Sequence, residues 1–343
     1  MNSIGDRLTN DTTATSEDMN LVTAINHTLR EEMRRDTSVR VLGYDIGPIG
    51  GVFRATEGLY DEFGSDRVID TPLSENGLMG IAVGMAMRGE RPVIEMQFLG
   101  FMYNAWGQFV YNLANLHQKT GGLLNVPITV RATFGGGIKP LPFHSESTEA
   151  YLMHTPGIRV VCPSTPAQAK GLLLSAIRSD DPVIFLEHTK MYRAFREPVP
   201  LGDYTLPLDK CRLVQEGSDL TVVTWGNMVH HSVEAAAEVT ARSQASIEII
   251  DMCSLAPLDV EPVLASVRKT GRCVIVHEAR RTVGPGAEIS ALINEYALEW
   301  LKAPIKRVTA FDVFFPENQT EEIYLPGTPR IRAGIEAVLG YEF

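Results

Sequence analysis

Short apolar runs alternate with amphipathic stretches along nearly the whole chain, and this rhythm restricts the fold more than any other feature. From Met19 the apolar residues Val22, Ile25, Leu29 and Met33 recur at steps of three and four with charges between them, predicting a helix that ends near Asp36. A strand is expected at 39–43, followed by further short runs at 92–98, 126–133, 159–162 and 182–186. Helical stretches at 105–119 and 166–179 separate them. Parallel strands need long crossover connections, which helices supply, so the alternation predicts a doubly wound α/β fold: a mostly parallel sheet with helices on both faces.

Between 187 and 208 the rhythm breaks in a charged segment that carries Pro198, Pro200 and Pro207, as a connection between domains would. It then resumes, with strands expected at 220–225, 245–250 and 272–277 and helices at 228–242, 260–269 and 287–301. A chain of 343 residues is long enough for two cores. The expected division is a flexible tail over 1–18, a first α/β domain over 19–190, a linker over 191–208 and a second α/β domain over 209–343.

Composition limits what such a chain does. With 31 Lys and Arg against 42 Asp and Glu, the formal charge of −11 argues against nucleic acid or an anionic membrane surface as the main partner. Cys162, Cys211, Cys253 and Cys273 form no CxxC pair, which disfavours a zinc knuckle or a redox dithiol and suits a reducing interior. The first 18 residues are polar and contain Asp6, Asp11, Glu17 and Asp18, without an apolar signal core, so a cytoplasmic protein is expected.

Local motifs exclude several enzyme classes. GxxxxGK[ST] is absent, and Gly284-Pro285-Gly286 lacks the third glycine of a dinucleotide fingerprint. No GxSxG elbow occurs, and His277-Glu278 is not followed by a histidine at zinc-protease spacing. Sites built from dispersed residues remain.

The run Asp70-Thr71-Pro72-Leu73-Ser74-Glu75-Asn76-Gly77, with Gly80, Gly84 and Arg91-Pro92-Val93-Ile94-Glu95-Met96-Gln97-Phe98, resembles the beta subunit of thiamine-diphosphate-dependent 2-oxo acid dehydrogenases. The similarity extends through Val52-Phe53-Arg54-Ala55-Thr56-Glu57-Gly58-Leu59, Phe134-Gly135-Gly136-Gly137 with His144, and Gln168-Ala169-Lys170-Gly171. In the second half it takes in Ile250-Asp251, Pro257-Leu258-Asp259 and Val276-His277-Glu278-Ala279. Leu186-Glu187-His188 and Met191-Tyr192-Arg193 look most like the bacterial pyruvate dehydrogenase type. The resemblance implies a transketolase-like pyrimidine-binding domain followed by a transketolase C-terminal domain. It also implies a cofactor shared with an alpha subunit, whose Gly-Asp-Gly motif holds the diphosphate through magnesium. No Gly-Asp-Gly occurs in this chain, so the magnesium and the alpha partner belong together.

The same resemblance assigns site residues. Glu75 falls at the glutamate that contacts a pyrimidine nitrogen of thiamine diphosphate and activates it by sharing a proton. Phe101 matches the aromatic packed on that ring, and Phe98 and Tyr103 are close enough in sequence to join the wall. His144, after a glycine-rich loop, matches a histidine that donates a proton or orients the lipoyl group when the acyl fragment leaves. Ile128, Ala176, Ile177 and Asp181 match positions that hold structural potassium in some relatives. The partners implied are the alpha subunit, in an assembly of two alpha and two beta chains, and a lipoyl-bearing acyltransferase. The C-terminal Ile335, Val338, Leu339 and Phe343 are candidates for a contact between beta chains.

Two positions depart from the family pattern. Tyr44 stands where many relatives carry the glutamate of Leu-Gly-Glu-Asp, which removes a carboxylate from the acidic passage between paired sites. Cys253 stands where arginine is frequent, and loosening of an interface contact is expected there. The reading is therefore a decarboxylating beta subunit, with pyruvate as the expected 2-oxo acid. The alternatives are branched-chain 2-oxo acids or acetoin as substrate, or a non-catalytic scaffold that docks the acyltransferase core.

Overall fold

The computed structural model describes residues 15–342. The first half contains β1 (Ser16–Met19), β2 (Val39–Gly43), β3 (Val68–Asp70), β4 (Arg91–Met96), β5 (Thr129–Phe134), β6 (Arg159–Val161), β7 (Val183–His188) and β8 (Glu197–Pro200). Strands β2 to β7 form a parallel sheet in the spatial order β6-β7-β5-β4-β2-β3. Every residue of β5 and β7 is buried, as central parallel strands covered on both faces should be. The second half supplies β9 (Arg212–Gln215), β10 (Leu220–Thr224), β11 (Ile247–Asp251), β12 (Ser254–Ala256), β13 (Cys273–Arg280) and β14 (Lys306–Ala310). Five of these make a second sheet, ordered β14-β13-β10-β11-β9, in which only β9 is antiparallel.

The helices follow from the sequence pattern. The helix Leu21–Arg35 buries Leu21, Val22, Ile25, Leu29 and Met33. It begins at Asn20, whose side chain accepts the Thr23 N–H, and ends with Arg34 and Arg35 beside the negative end of its dipole. The helix Thr328–Leu339 buries Ile335 and Val338 in the second domain's own core, so those two residues are not free for a contact between chains. Phe343 lies outside the described residues.

Three expectations change. Residues 16–18, assigned to a tail, belong to β1, which pairs antiparallel with β8; residues 1–14 lie outside the described part. The 191–208 linker is strapped to the first domain. It contains β8, the Tyr204 hydroxyl donates to the Ala167 carbonyl at 2.7 Å, and Leu206 bonds both Gly171 and Ser175. The helix expected at 105–119 is broken into a short turn Trp106–Gln108, a π-helical turn Phe109–Leu113 and a further turn Leu116–Lys119. Gly107, Asn112 and Asn115 are weak helix formers, and the core takes Phe109 and Leu113 as anchors. The strand β12 belongs to the second half of the chain yet pairs with β6, extending the first sheet to seven strands.

Candidate active site

The site candidates lie beyond the carboxyl ends of four neighbouring parallel strands: Tyr44 after β2, Glu75 after β3, Phe98 and Phe101 after β4, and His144 after β5. A doubly wound sheet holds ligands at this edge, where the connections leave the ladder and are free to diverge.

Glu75 is the first residue of the helix Glu75–Met87, whose N-cap Ser74 accepts the Gly77 N–H. The positive end of the helix favours a carboxylate there. Glu75 is only 6% exposed. The Tyr44 hydroxyl donates to its Oε1 at 3.4 Å, and Asn104 Nδ2 donates to its Oε2 at 3.5 Å. Both contacts are long and come from neutral groups, so they orient the carboxylate and leave lone pairs for another donor. Burial, then the Glu75 charge, pushes the Tyr44 phenol well above its ordinary pKa, which keeps it a proton-bearing donor.

The aromatic wall is set by a 3-10 helix, Leu99–Ala105, with Phe98 at its N-cap. Three residues per turn stack Phe98, Phe101 and Asn104 on one face. The Phe98 and Phe101 rings meet edge to face at 5.6 Å, and the His144 ring lies 4.3 Å from Phe98 and 5.3 Å from Phe101. Phe53 closes the far side of Phe98 at 5.6 Å. Tyr103 falls off the three-residue repeat, and its ring meets Tyr151 at 6.0 Å, away from this cluster. Desolvation lowers the His144 pKa, which favours the neutral imidazole, and Nδ1 is buried without a hydrogen-bond partner. Asn104 and Phe53 were not singled out as site residues from the sequence. The three-residue spacing of Phe98, Phe101 and Asn104 is the signal that would have found the first of them.

The potassium positions are committed to other partners. Ile128 O accepts the Val183 N–H, Ala176 O accepts the Ser179 N–H, and Arg91 Nη1 donates to Ile177 O at 3.1 Å and Ser179 O at 2.9 Å. The Asp181 carboxylate pairs with Arg159 at 3.1 Å. Guanidinium groups supply positive charge at this helix end, while each of these carbonyls keeps a second lone pair beside its hydrogen bond. No cluster of three or more His, Cys, Asp or Glu side chains among the described residues is placed to hold a metal. Cys253 is fully engaged in the seam between the domains, where its sulfur accepts from Gln168 Nε2 at 3.0 Å.

A two-domain α/β chain with a carboxylate and an aromatic wall at the sheet's carboxyl edge is of the transketolase class. Residues 17–194 match the family described as transketolase, pyrimidine binding domain, and residues 209–331 match transketolase, C-terminal domain. The pyruvate dehydrogenase E1 component subunit beta of Bacillus subtilis is 47% identical over 308 residues, covering 90% of this chain and 94% of that protein. Its Staphylococcus epidermidis counterpart is 45% identical over 323 residues, covering 94% and 99%. The chain belongs to the family of pyruvate dehydrogenase E1 component beta subunits. A solved structure described as split gene transketolase, inactive beta4 tetramer, shares the fold with a TM-score of 0.75 at 22% identity, covering 94% of this chain and 99% of that one.

Proposed function

We propose that this chain is the beta subunit of a pyruvate-decarboxylating 2-oxo acid dehydrogenase component, receiving the aminopyrimidine of thiamine diphosphate at Glu75. One observation carries this reading: a buried carboxylate at a helix N-terminus, oriented by Tyr44 and Asn104, with Asn104 on the same 3-10 helix that carries Phe101 and sets it with Phe98 against His144. A flat heteroaromatic ring with a basic nitrogen fits such a group, since the wall stacks and the carboxylate takes or shares a proton. When bound, thiamine diphosphate supplies the electron sink that decarboxylation of a 2-oxo acid requires. Glu75 binds and polarises the ring nitrogen, Phe101 and Phe98 exclude water from one face, and His144 serves the departing acyl group, as a proton donor once it has taken up a proton or as a guide for lipoyl.

The alpha subunit holds magnesium and the diphosphate, two chains of each kind assemble, and the acyl acceptor is a lipoyl-bearing acyltransferase. We place the protein in the cytoplasm. No helix among the described residues is long and apolar enough to cross a membrane. The scaffold alternative drew on Tyr44 and Cys253. Tyr44 bonds the proposed catalytic carboxylate and Cys253 is built into the domain seam, which favours a working site. The test is coexpression with the alpha partner, followed by thiamine-diphosphate-dependent reduction of an artificial electron acceptor on a panel of 2-oxo acids. Pyruvate should be the best substrate. Full activity in a Glu75→Ala complex would overturn the assignment.

A further inference from the structure

The loop that carries His144 is gripped at both ends by side chains of the second domain. Its first turn uses Gly135 and Gly137, both at positive φ. A Cβ on Gly135 would sit 2.3 Å from His188 Nε2 and 2.9 Å from Glu278 Oε2, so only glycine lets the backbone come this close. Gly136 N–H then donates to Glu278 Oε2 at 3.0 Å, and Glu278 Oε1 is held by His188 Nε2 at 2.7 Å. Glu278 is buried; its carboxyl nonetheless sits below the ordinary range, because His188 and the Gly136 N–H outweigh desolvation. Gly137 N–H donates to Glu321, also of the second domain.

At the loop's far end, Glu146 accepts from Arg280 Nη2 at 3.0 Å. Arg280 is itself fixed, its Nε donating to Val313 O at 2.8 Å and its guanidinium lying over the Phe314 ring. Glu278 and Arg280 are two apart near the end of β13, where its register with β14 shifts, and both side chains reach the same loop. Between the grips, a Cβ on Gly100 would lie 2.2 Å from the Phe143 carbonyl, so the residue before His144 is packed directly on the aromatic-wall segment.

We propose that Glu278 and Arg280 are positioning residues: from the second domain they clamp residues 136 and 146 and thereby fix His144 against Phe98 and Phe101. The inference rests on the reading of this site as one that transfers an acyl group to lipoyl. Their effect passes through the loop, whose residues 136 and 146 they bond. A clamp of this kind matters for the step that uses His144 and much less for decarboxylation, because misplacing a reacting group by about 1 Å costs up to about 100-fold.

The experiment uses the complex with the alpha subunit and thiamine diphosphate, comparing acylation of a free lipoyl domain with reduction of an artificial electron acceptor. Hydrogen exchange over 136–146 is measured in the same samples. Arg280→Ala, at a partly exposed side chain, should keep its fold where a Glu278→Ala core change risks it, and Glu278→Gln serves as the second variant. Arg280→Ala should lower lipoyl acylation about tenfold or more, leave acceptor reduction within about threefold, and speed exchange in the loop; Arg280→Lys should restore most of the loss. Adding His144→Ala to Arg280→Ala should cost no more than His144→Ala alone. Equal loss in both assays, an additive double variant or unchanged loop exchange would overturn the clamp. A parent complex that turns over no 2-oxo acid would sink the functional reading alone, and loop exchange would then decide the clamp by itself.

Discussion

At the scale of single residues, Tyr44 shows how a departure from a family pattern reads differently once its neighbours are known. In the sequence it is a missing carboxylate. In the structure it is a buried neutral hydroxyl aimed at Glu75, 3.4 Å away. Tyr44→Phe should therefore reduce thiamine-diphosphate-dependent acceptor reduction about three- to tenfold, the loss of one weak donor to a charged group, while Glu75→Ala costs about 100-fold or more. Tyr44→Glu places a second carboxylate against the first, and its pH–rate profile should gain a limb that the parent lacks. An unchanged Tyr44→Phe enzyme would show that the hydroxyl is mere packing. Glu75, Phe101 and His144 were legible as candidates because they stand in or beside the runs that carry the family resemblance. Asn104 and Phe53 were not: the three-residue period that marks Asn104 spans little more than two turns, and Phe53 lies in a turn that has no period.

Elements carry the next set of consequences. The short helix Glu149–Met153 points Glu149 into the domain seam, where Trp225 Nε1 donates to Oε1 at 3.2 Å and Oε2 has no partner. Burial pushes this carboxyl up to about 7, against an unfolded value near 4.5. Between those values the native chain holds a proton that the unfolded chain has released, so the contribution is full below about pH 4.5 and is lost as pH rises through about 7. Glu149→Gln should match the parent in thermal unfolding at pH 4.5 and exceed it at pH 8 by on the order of 2–3 kcal/mol. A constant difference across that range would refute this origin.

The contact of β4 with the helix Pro166–Arg178 is another such element. Arg91, at the start of β4, satisfies the carbonyls of Ile177 and Ser179. Arg91→Met should lower the melting temperature, measured by calorimetry. Most helices and strands were legible from their periods. The 105–119 stretch was not, because its apolar spacing suits a helix while its glycine and asparagines let packing choose a π turn.

For the whole molecule, the two-domain layout was legible in the break near residue 190, but the way the halves share parts was not. A three-residue strand such as β12 has too few positions to show a period, and nothing local tells that it joins the other sheet. The surface is equally informative about assembly. Leu73, Ile81, Met87, Val283, Val313 and Phe314 leave large apolar side chains exposed. Where such side chains form a contiguous patch, another chain covers them at a gain. Mass measurement by light scattering should find the isolated chain self-associated, and a species of two alpha and two beta chains when the partner is present; a monodisperse monomer under both conditions would contradict this.

The pairing of β12 with β6 also bears on how the protein is made. Val161 leaves the ribosome roughly ninety residues before Ser254, its ladder partner. At about 5–20 residues per second, the newborn first domain shows a bare strand edge for some seconds during every round of synthesis. Crowded polysomes would give neighbouring nascent chains an opportunity to pair there, so a slow stretch of translation before residue 254 would be a hazard peculiar to this topology.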